Sequence, residues 1–255
     1  MIGARGGVGA STVALNCAWL MAHEQNLQTA LLDLDLYFGT SALLLDLLPG
    51  RGLREALENP DRIDPLFVAG VMVNASDRLF ILAGEEPLEE DLQYDPAALD
   101  QLTSELRRTY SRVVIDLPRS MTLPHRYILT ASSQVVIVTD QTLPAVRDTV
   151  RLRKLVRERA PRARILVVAN NVGAKTQVAF SKAEFERGIE ARLDHLIPHD
   201  RNVVRAALHA GNTVPQQAKG SKLTAALRGL AIDITAMQPV KQRGGFLRRR
   251  RSIRR

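Results

Sequence analysis

Ala4-Arg5-Gly6-Gly7-Val8-Gly9-Ala10-Ser11-Thr12 is the stretch that decides the fold. Glycine has no Cβ, so the backbone N–H groups of such a run can converge on an anion. Ser11 and Thr12 lead into an apolar segment, residues 13 to about 25, that reads as a helix. The positive end of that helix faces the same anion. The common phosphate-binding consensus GxxxxGK[ST] adds a lysine for the β- and γ-phosphates and a hydroxyl for Mg²⁺. Here Ala10 stands at the lysine position. The predicted cradle is Gly6, Gly7, Val8, Gly9, Ala10, Ser11 and Thr12, without its customary point charge.

Working outward, short aliphatic and β-branched runs alternate with helix-length segments. Strands are expected at residues 29–33, 79–83, 112–117, 134–139, 165–170 and 195–197. Several lack polar alternation, as strands covered on both faces do. Helices are expected at 96–109, 143–159, 181–190, 201–210 and 221–237, and Ser181 with Glu184 has capping-box spacing. The rhythm predicts an α/β domain with a mainly parallel, doubly wound sheet flanked by helices. Ligands of such sheets sit at the carboxyl ends of strands, where Asp33, Asp116, Asp140 and Asn170 fall. A phosphate loop normally follows a strand, yet only Met1 and Ile2 precede Gly3. The first strand is therefore expected to be truncated. That would expose the edges of two neighbours and predicts poor solubility. Residues 1–238 read as one nucleotide-binding domain and 239–255 as a flexible basic tail.

The chain has 255 residues, enough for one such domain with a large core. Lys and Arg number 35 against 27 Asp and Glu, a net charge of +8. Eight of the basic residues (Lys241, Arg243, Arg248, Arg249, Arg250, Arg251, Arg254 and Arg255) lie in the tail, so the body is formally neutral. Nucleic acid is accordingly not expected as a partner of the folded body. The single cysteine, Cys17, permits no disulfide or Cys-ligated cluster within one chain and fits a reducing cytoplasm. No apolar stretch approaches a membrane span, and the five histidines show no metal-ligand spacing.

The glycines also fit the G-x-x-x-G-x-G turn of a dinucleotide site, with Asp33 where a ribose-binding acid would lie. A short-chain dehydrogenase then needs Tyr-x-x-x-Lys, and none of Tyr37, Tyr94, Tyr110 or Tyr127 has Lys four residues on. Ser11-Thr12 and the acid that ends the 112–117 strand favour the phosphate-loop reading. Asp33 and Asp35 alternate at a strand end and should point to different sides, and one of them can simply cap the following turn. Asp116, followed by Leu117-Pro118, fits a partner to Mg²⁺ through water, with the Ser11 hydroxyl as the other metal ligand.

Several segments taken together resemble the MinD/ParA ATPases. Their deviant Walker A reads K-G-G-x-G-K-[ST]; this chain has Arg5 at the signature lysine and Ala10 at the second. The ARGGVGAST form resembles the CpaE/TadZ pilus-assembly branch in particular. Asp33-Leu34-Asp35 with Gly39 is similar to the family's DxDxxxG segment, and Asp116-Leu117-Pro118 to its DxP switch. Asn170-Asn171 and Ile197-Pro198-His199-Asp200 resemble its base-binding positions, and Arg147-Asp148 a segment near its dimer face.

The resemblance implies a P-loop NTPase fold, with ATP and Mg²⁺ as cofactors. Catalytic roles would fall to Arg5, Asp33 and Asp35, base contacts to Asn170, Ile197 and Pro198, and metal contacts to Ser11 and Asp116. Arg5 would reach across a nucleotide-bridged homodimer; an exposed arginine beside the loop is the plainer reading. Asn170 can likewise merely satisfy backbone. Ala10 implies slow or absent hydrolysis. The branch implies a localisation factor at a cell pole, working with the Tad secretion ATPase, inner-membrane platform proteins and polar landmark proteins. It also implies a receiver-like domain in front. Phe246, Leu247 and Ile253 among arginines suit an anionic membrane surface, an acidic partner or nucleic acid, or a solvated tail. A partitioning ATPase and a nucleotide-free scaffold are the alternative functions.

Overall fold

The computed structural model describes residues 1–90, 92–174 and 180–236; the tail expected at 239–255 lies outside these. In chain order the elements are β1 (Ile2–Gly3), α1 (Ala10–His23), β2 (Thr29–Asp33), α2 (Gly52–Glu58), α3 (Pro65–Val71), β3 (Val73–Asn74), β4 (Leu79–Leu82), α4 (Pro96–Thr109) and β5 (Arg112–Asp116). They continue as α5 (Arg126–Ala131), β6 (Gln134–Thr139), α6 (Leu143–Arg159), β7 (Arg164–Val172), α7 (Lys182–Ile189), β8 (His195–Pro198), α8 (Arg201–His209), α9 (Val214–Gln217) and α10 (Lys222–Thr235).

The strands form two ladders, β3-β4-β2-β5 and β1-β6-β7-β8. All pairs are parallel except β3 with β4. The two-residue β1 joins them. It pairs with β6 (Ile2 opposite Ile137, Gly3 opposite Val138), while the Leu117 N–H donates to the Met1 carbonyl at 2.9 Å. One α/β sheet results, doubly wound and flanked by helices on both faces.

Strand periodicity explains the two cores. In β2, Leu31 packs on one face with α1 and α10, and Ala30 and Leu32 on the other with α2 and α4. β6 does the same, sending Val136 and Val138 one way and Val135 and Ile137 the other. Both faces are covered, so neither strand has a polar face.

The structure moves several expected boundaries. α1 begins at Ala10 rather than at residue 13, because Gly9 already supplies its N-cap; Ser11 and Thr12 therefore lie in its first turn. The short elements α2, α3, β3, α5 and α9 were not expected. The last helix ends at Thr235, two residues earlier than predicted.

Candidate functional site at the carboxyl edge of the sheet

The β1–α1 turn uses two left-handed glycines, Gly7 at φ 77° and Gly9 at φ 82°. That region disfavours any residue with a Cβ. At Gly9 space is a second constraint, since a Cβ there would lie 2.6 Å from Asn170 Nδ2. No side chain caps α1 and its first turn contains no acid. Its leading amides and the positive end of its dipole therefore point toward the loop. Cβ atoms added at Gly6 and Gly7 would meet nothing within 4 Å, so the loop is open on that side.

Asp33 ends β2 and is 1 % exposed. Its carboxylate accepts backbone N–H bonds from Asp35 (3.1 Å), Thr40 (3.1 Å) and Ser41 (3.0 Å). Asp35 lies past the strand and accepts from the Phe38 N–H at 3.0 Å. Both acids thus shape the 34–41 loop; the turn-capping role expected of one belongs to both.

Asp116 ends β5 directly opposite Asp33. Burial pushes its carboxyl up to about 6, and the like charges of Asp33 and Asp35 add to this. The Ser11 hydroxyl, hydrogen-bonded to it, and the nearby amino terminus work the other way. With the like charges of Asp33 and Asp35 close enough to act on it, the Asp116 carboxyl stands in negative charge that a divalent cation would neutralise. Among the described residues no cluster of three His, Cys, Asp or Glu side chains could hold a metal by itself. Ser11 with Asp116 therefore suits Mg²⁺ carried with phosphate and water, not a metal caged by protein ligands.

The remaining expected residues are partly engaged elsewhere. Arg5 donates to Thr142 Oγ1 at 3.1 Å, and Thr142 in turn donates to Asp140 Oδ1 at 2.6 Å. Asn170 donates to the Val8 carbonyl at 2.8 Å and so braces the loop. Ile197, expected to pack on a base, is instead 1 % exposed in the core beneath α1. β8 alternates, so only the half-buried Pro198 of that pair is available to a ring. Neighbouring Asn171 sits at φ 56° and its Oδ1 contacts His199 Nδ1 at 3.2 Å.

Sequence reasoning missed Arg119 and Thr142. Arg119 follows the Asp116-Leu117-Pro118 turn and donates to the Ala4 carbonyl at 3.0 Å; it also lies 3.7 Å from Asp148 on α6. Only their position just after strand ends could have flagged them.

Against known proteins, residues 1–184 match the ParA family, described as NUBPL iron-transfer P-loop NTPase. The chain is similar to an uncharacterised ATP-binding protein of Methanocaldococcus jannaschii, with 23 % identity over 237 residues, 88 % of this chain and 81 % of that protein. It superposes on a ParA family ATPase from Chlorobium tepidum with a TM-score of 0.82 and 24 % identity, covering 91 % of this chain and 96 % of that one. MinD of Pyrococcus horikoshii, complexed with Mg-ADP, gives a TM-score of 0.75 at 20 % identity, covering 92 % and 95 %. At these identities the two structures speak for the fold. The iron-transfer part of the family description finds no thiol set here, since Cys17 is the sole cysteine, buried in α1 with its pKa pushed up to about 12. The family match spans well over half of the sequence and includes the phosphate loop, β2 and Asp116, and the chain belongs to the ParA family of P-loop NTPases.

Proposed function

We propose that this protein is an ATP-binding switch that dimerises around nucleotide and serves as a localisation factor for a Tad (Flp-type) pilus secretion apparatus. ATP and Mg²⁺, when bound, supply the phosphoanhydride and the cation. The chain's part is to hold them: the α1 amides and Gly6 to Gly9 cradle phosphate, Ser11 and Asp116 hold the cation and its water, and Pro198 and the Asn170-Asn171 pair border the base. Asp33 and Asp35 fix the 34–41 loop that would present a water to the phosphate. Arg5 would exchange Thr142 for the phosphates of a second subunit, where its forked donors suit phosphate oxygens.

One observation carries this reading: the cradle and the Ser11–Asp116 pair are intact, while Ala10 removes the ammonium group that stabilises developing phosphoryl charge. Binding with slow or no turnover follows, which suits a long-lived platform. Partners would be the secretion ATPase and inner-membrane platform proteins, reached from the cytoplasmic side near a pole. The tail would add weak attraction to an anionic leaflet, doubled in a dimer. Calorimetry with ATP and Mg²⁺, paired with a turnover assay and light scattering, tests the reading. Binding, dimerisation and negligible phosphate release are the expected results; no heat of binding at millimolar ATP would refute it.

A partitioning ATPase acting on DNA or membrane cargo is the second reading, favoured by the ParA match. It requires partner-stimulated hydrolysis and salt-sensitive DNA binding by the folded body, whose basic and acidic residues balance outside the tail.

A further inference from the structure

The formal neutrality of the body hides a separation of charge. α6 contains six basic residues and only two acids, Asp148 and Glu158, whereas Glu85, Glu86, Glu89 and Glu90 crowd the loop after β4. Helical spacing divides the α6 cations between two faces. Arg153 is buried and donates to the Ile189 carbonyl at the end of α7. Arg147, Arg151, Lys154 and Arg157 recur at intervals of three and four residues, and all four are exposed. At 1.5 Å per residue they form a stripe about 15 Å long. The acids of α6 are already engaged: Arg147 bonds the buried Asp148 at 2.9 Å, and Glu158 lies 3.9 Å from Lys154. The flanking helices add little negative charge. α5 has no acid, and on α7 Glu184 is tied to Ser181 while Glu186 accepts from the Leu193 N–H at 2.8 Å. The charges of Glu190 and Asp194 reach the buried Arg153.

We propose that this exposed face of α6 is a docking surface for an anionic lipid bilayer. Two observations select the lipid surface. Leu143 and Val150 are exposed on the same face, between the cations, where they can enter the headgroup boundary while the cations meet the headgroups. A nucleic-acid backbone would satisfy the charge but give these two side chains nothing apolar to meet, and α6 has no aromatic ring on which an unpaired base could stack. The second observation is where the chain goes next. At the start of β7, just past the end of α6, Arg164 pairs with Asp233 of α10 at 2.8 Å, and Arg162, Arg164 and Ala236 line one cavity between β5 and β6. The sequence after Ala236 therefore begins beside the end of the stripe. It contains eight basic residues, Phe246, Leu247 and Ile253, and no acid. The α6 surface extends to the folded body the leaflet attraction proposed above for the tail, and rests on that reading.

The test is sedimentation of the full chain, without nucleotide, with vesicles of about one-third phosphatidylglycerol in phosphatidylcholine. The parent is compared with Arg151→Gln/Lys154→Gln/Arg157→Gln on α6 and with Arg248→Gln/Arg249→Gln/Arg250→Gln/Arg251→Gln in the tail. The α6 variant is expected to lose on the order of 30- to 100-fold in partitioning at low salt, with Tm unchanged. A loss below about threefold would overturn the proposal. If only the tail variant loses binding, the α6 surface is refuted and the tail reading stands. If only the α6 variant loses it, the tail reading fails and the α6 surface stands. A parent that does not sediment refutes both, and so does equal binding to pure phosphatidylcholine vesicles. Retention of the parent on duplex DNA, lost in the α6 variant and without vesicle binding, would also overturn the assignment. Lysine acetylation of the parent gives a readout that needs no substitution. The anionic vesicles should protect Lys154 more than the exposed Lys222 of α10, which packs on the opposite face of the sheet; equal protection would count against α6.

Discussion

The two ends of the sheet are built on opposite principles. At the carboxyl edge, four loops hold one another through polar atoms: Asp33 gathers the 34–41 turn, Ser11 meets Asp116, Asn170 grips Val8, and Arg119 reaches the Ala4 carbonyl. At the amino edge, β5 and β6 rely on apolar side chains around a space those side chains do not fill. Directional bonds to backbone fix loops to within a fraction of an ångström, whereas apolar contact fixes only an area. Position is therefore set by directional bonds at one edge and by apolar contact around a cavity at the other. Changes at the carboxyl edge should act through single buried bonds, which makes the contrast easy to break.

The largest effect is expected from Asp33→Ala. Three backbone amides lose their acceptor, and those of Asp35 and Ser41 lie in partly or fully buried positions. Unmade bonds of this kind cost about 1–3 kcal/mol each where water cannot replace them. A total near 3 kcal/mol, read as a fall of about 6–12 °C in Tm, is the expected result. A loss below 1 kcal/mol in urea titration would mean that the 34–41 loop does not depend on this carboxylate.

Asp116→Asn should act in the opposite direction. Its folded pKa, about 6, lies above its ordinary value of 3.8, so the protonated form favours the folded state. That contribution is fully present below the ordinary value and is lost as pH rises through 6, leaving a buried carboxylate that destabilises the fold at neutral pH. Asparagine keeps an acceptor for the Ser11 hydroxyl without the charge. The variant is expected to be more stable than the parent by on the order of 2 kcal/mol at pH 8, with the difference shrinking toward zero near pH 4. Urea titrations at both pH values, in metal-free buffer, check this.

How much of this was legible beforehand depends on how local the signal is. β2, β6, α4 and α6 were readable to the residue, because an unbroken apolar run or a long periodic segment is set by its own sequence. α3 carries a start signal, Asp64-Pro65, yet seven residues give too little periodicity to be seen. β1 and β3, at two residues each, exist only through their partners. The loop motif announced its own residues, and Asp116 was placed by the apolar strand before it. Arg119 and Thr142 were not, because their roles depend on loops more than a hundred residues away in sequence. Ile197 failed for a simpler reason: in a strand one residue in two faces the core, and the sequence did not say which.

Ala10→Lys sharpens the contrast by adding to the carboxyl edge the charge its motif lacks. Ala10 is the first residue of α1 and is half-buried, so a lysine stem can lie along the loop with its head in solvent. On the proposed function, the expected gain is about tenfold in affinity for ATP with Mg²⁺, with turnover rising above the slow or absent hydrolysis proposed for the parent. Calorimetry and phosphate release report both. An unchanged affinity would show that the amides and existing arginines already satisfy the phosphates.

The smallest effect is expected where the carboxyl edge reaches the surface. Arg119 spans the Ala4 carbonyl and Asp148, but its side chain is 48 % exposed and the ion pair is long, at 3.7 Å. Arg147 lies closer to the same carboxylate, 2.9 Å away. Together they hold the Asp148 carboxyl below its ordinary range, the Arg147 hydrogen bond being the larger cause. Removing Arg119 leaves Asp148 partnered, so a double-mutant cycle of Arg119→Ala with Asp148→Ala should give a coupling of about 0.5 kcal/mol or less. A coupling above 2 kcal/mol would show that α6 and the phosphate loop are mechanically linked through this arginine. The carboxyl edge would then extend to the helix surface, where a partner could act on the loop without touching it.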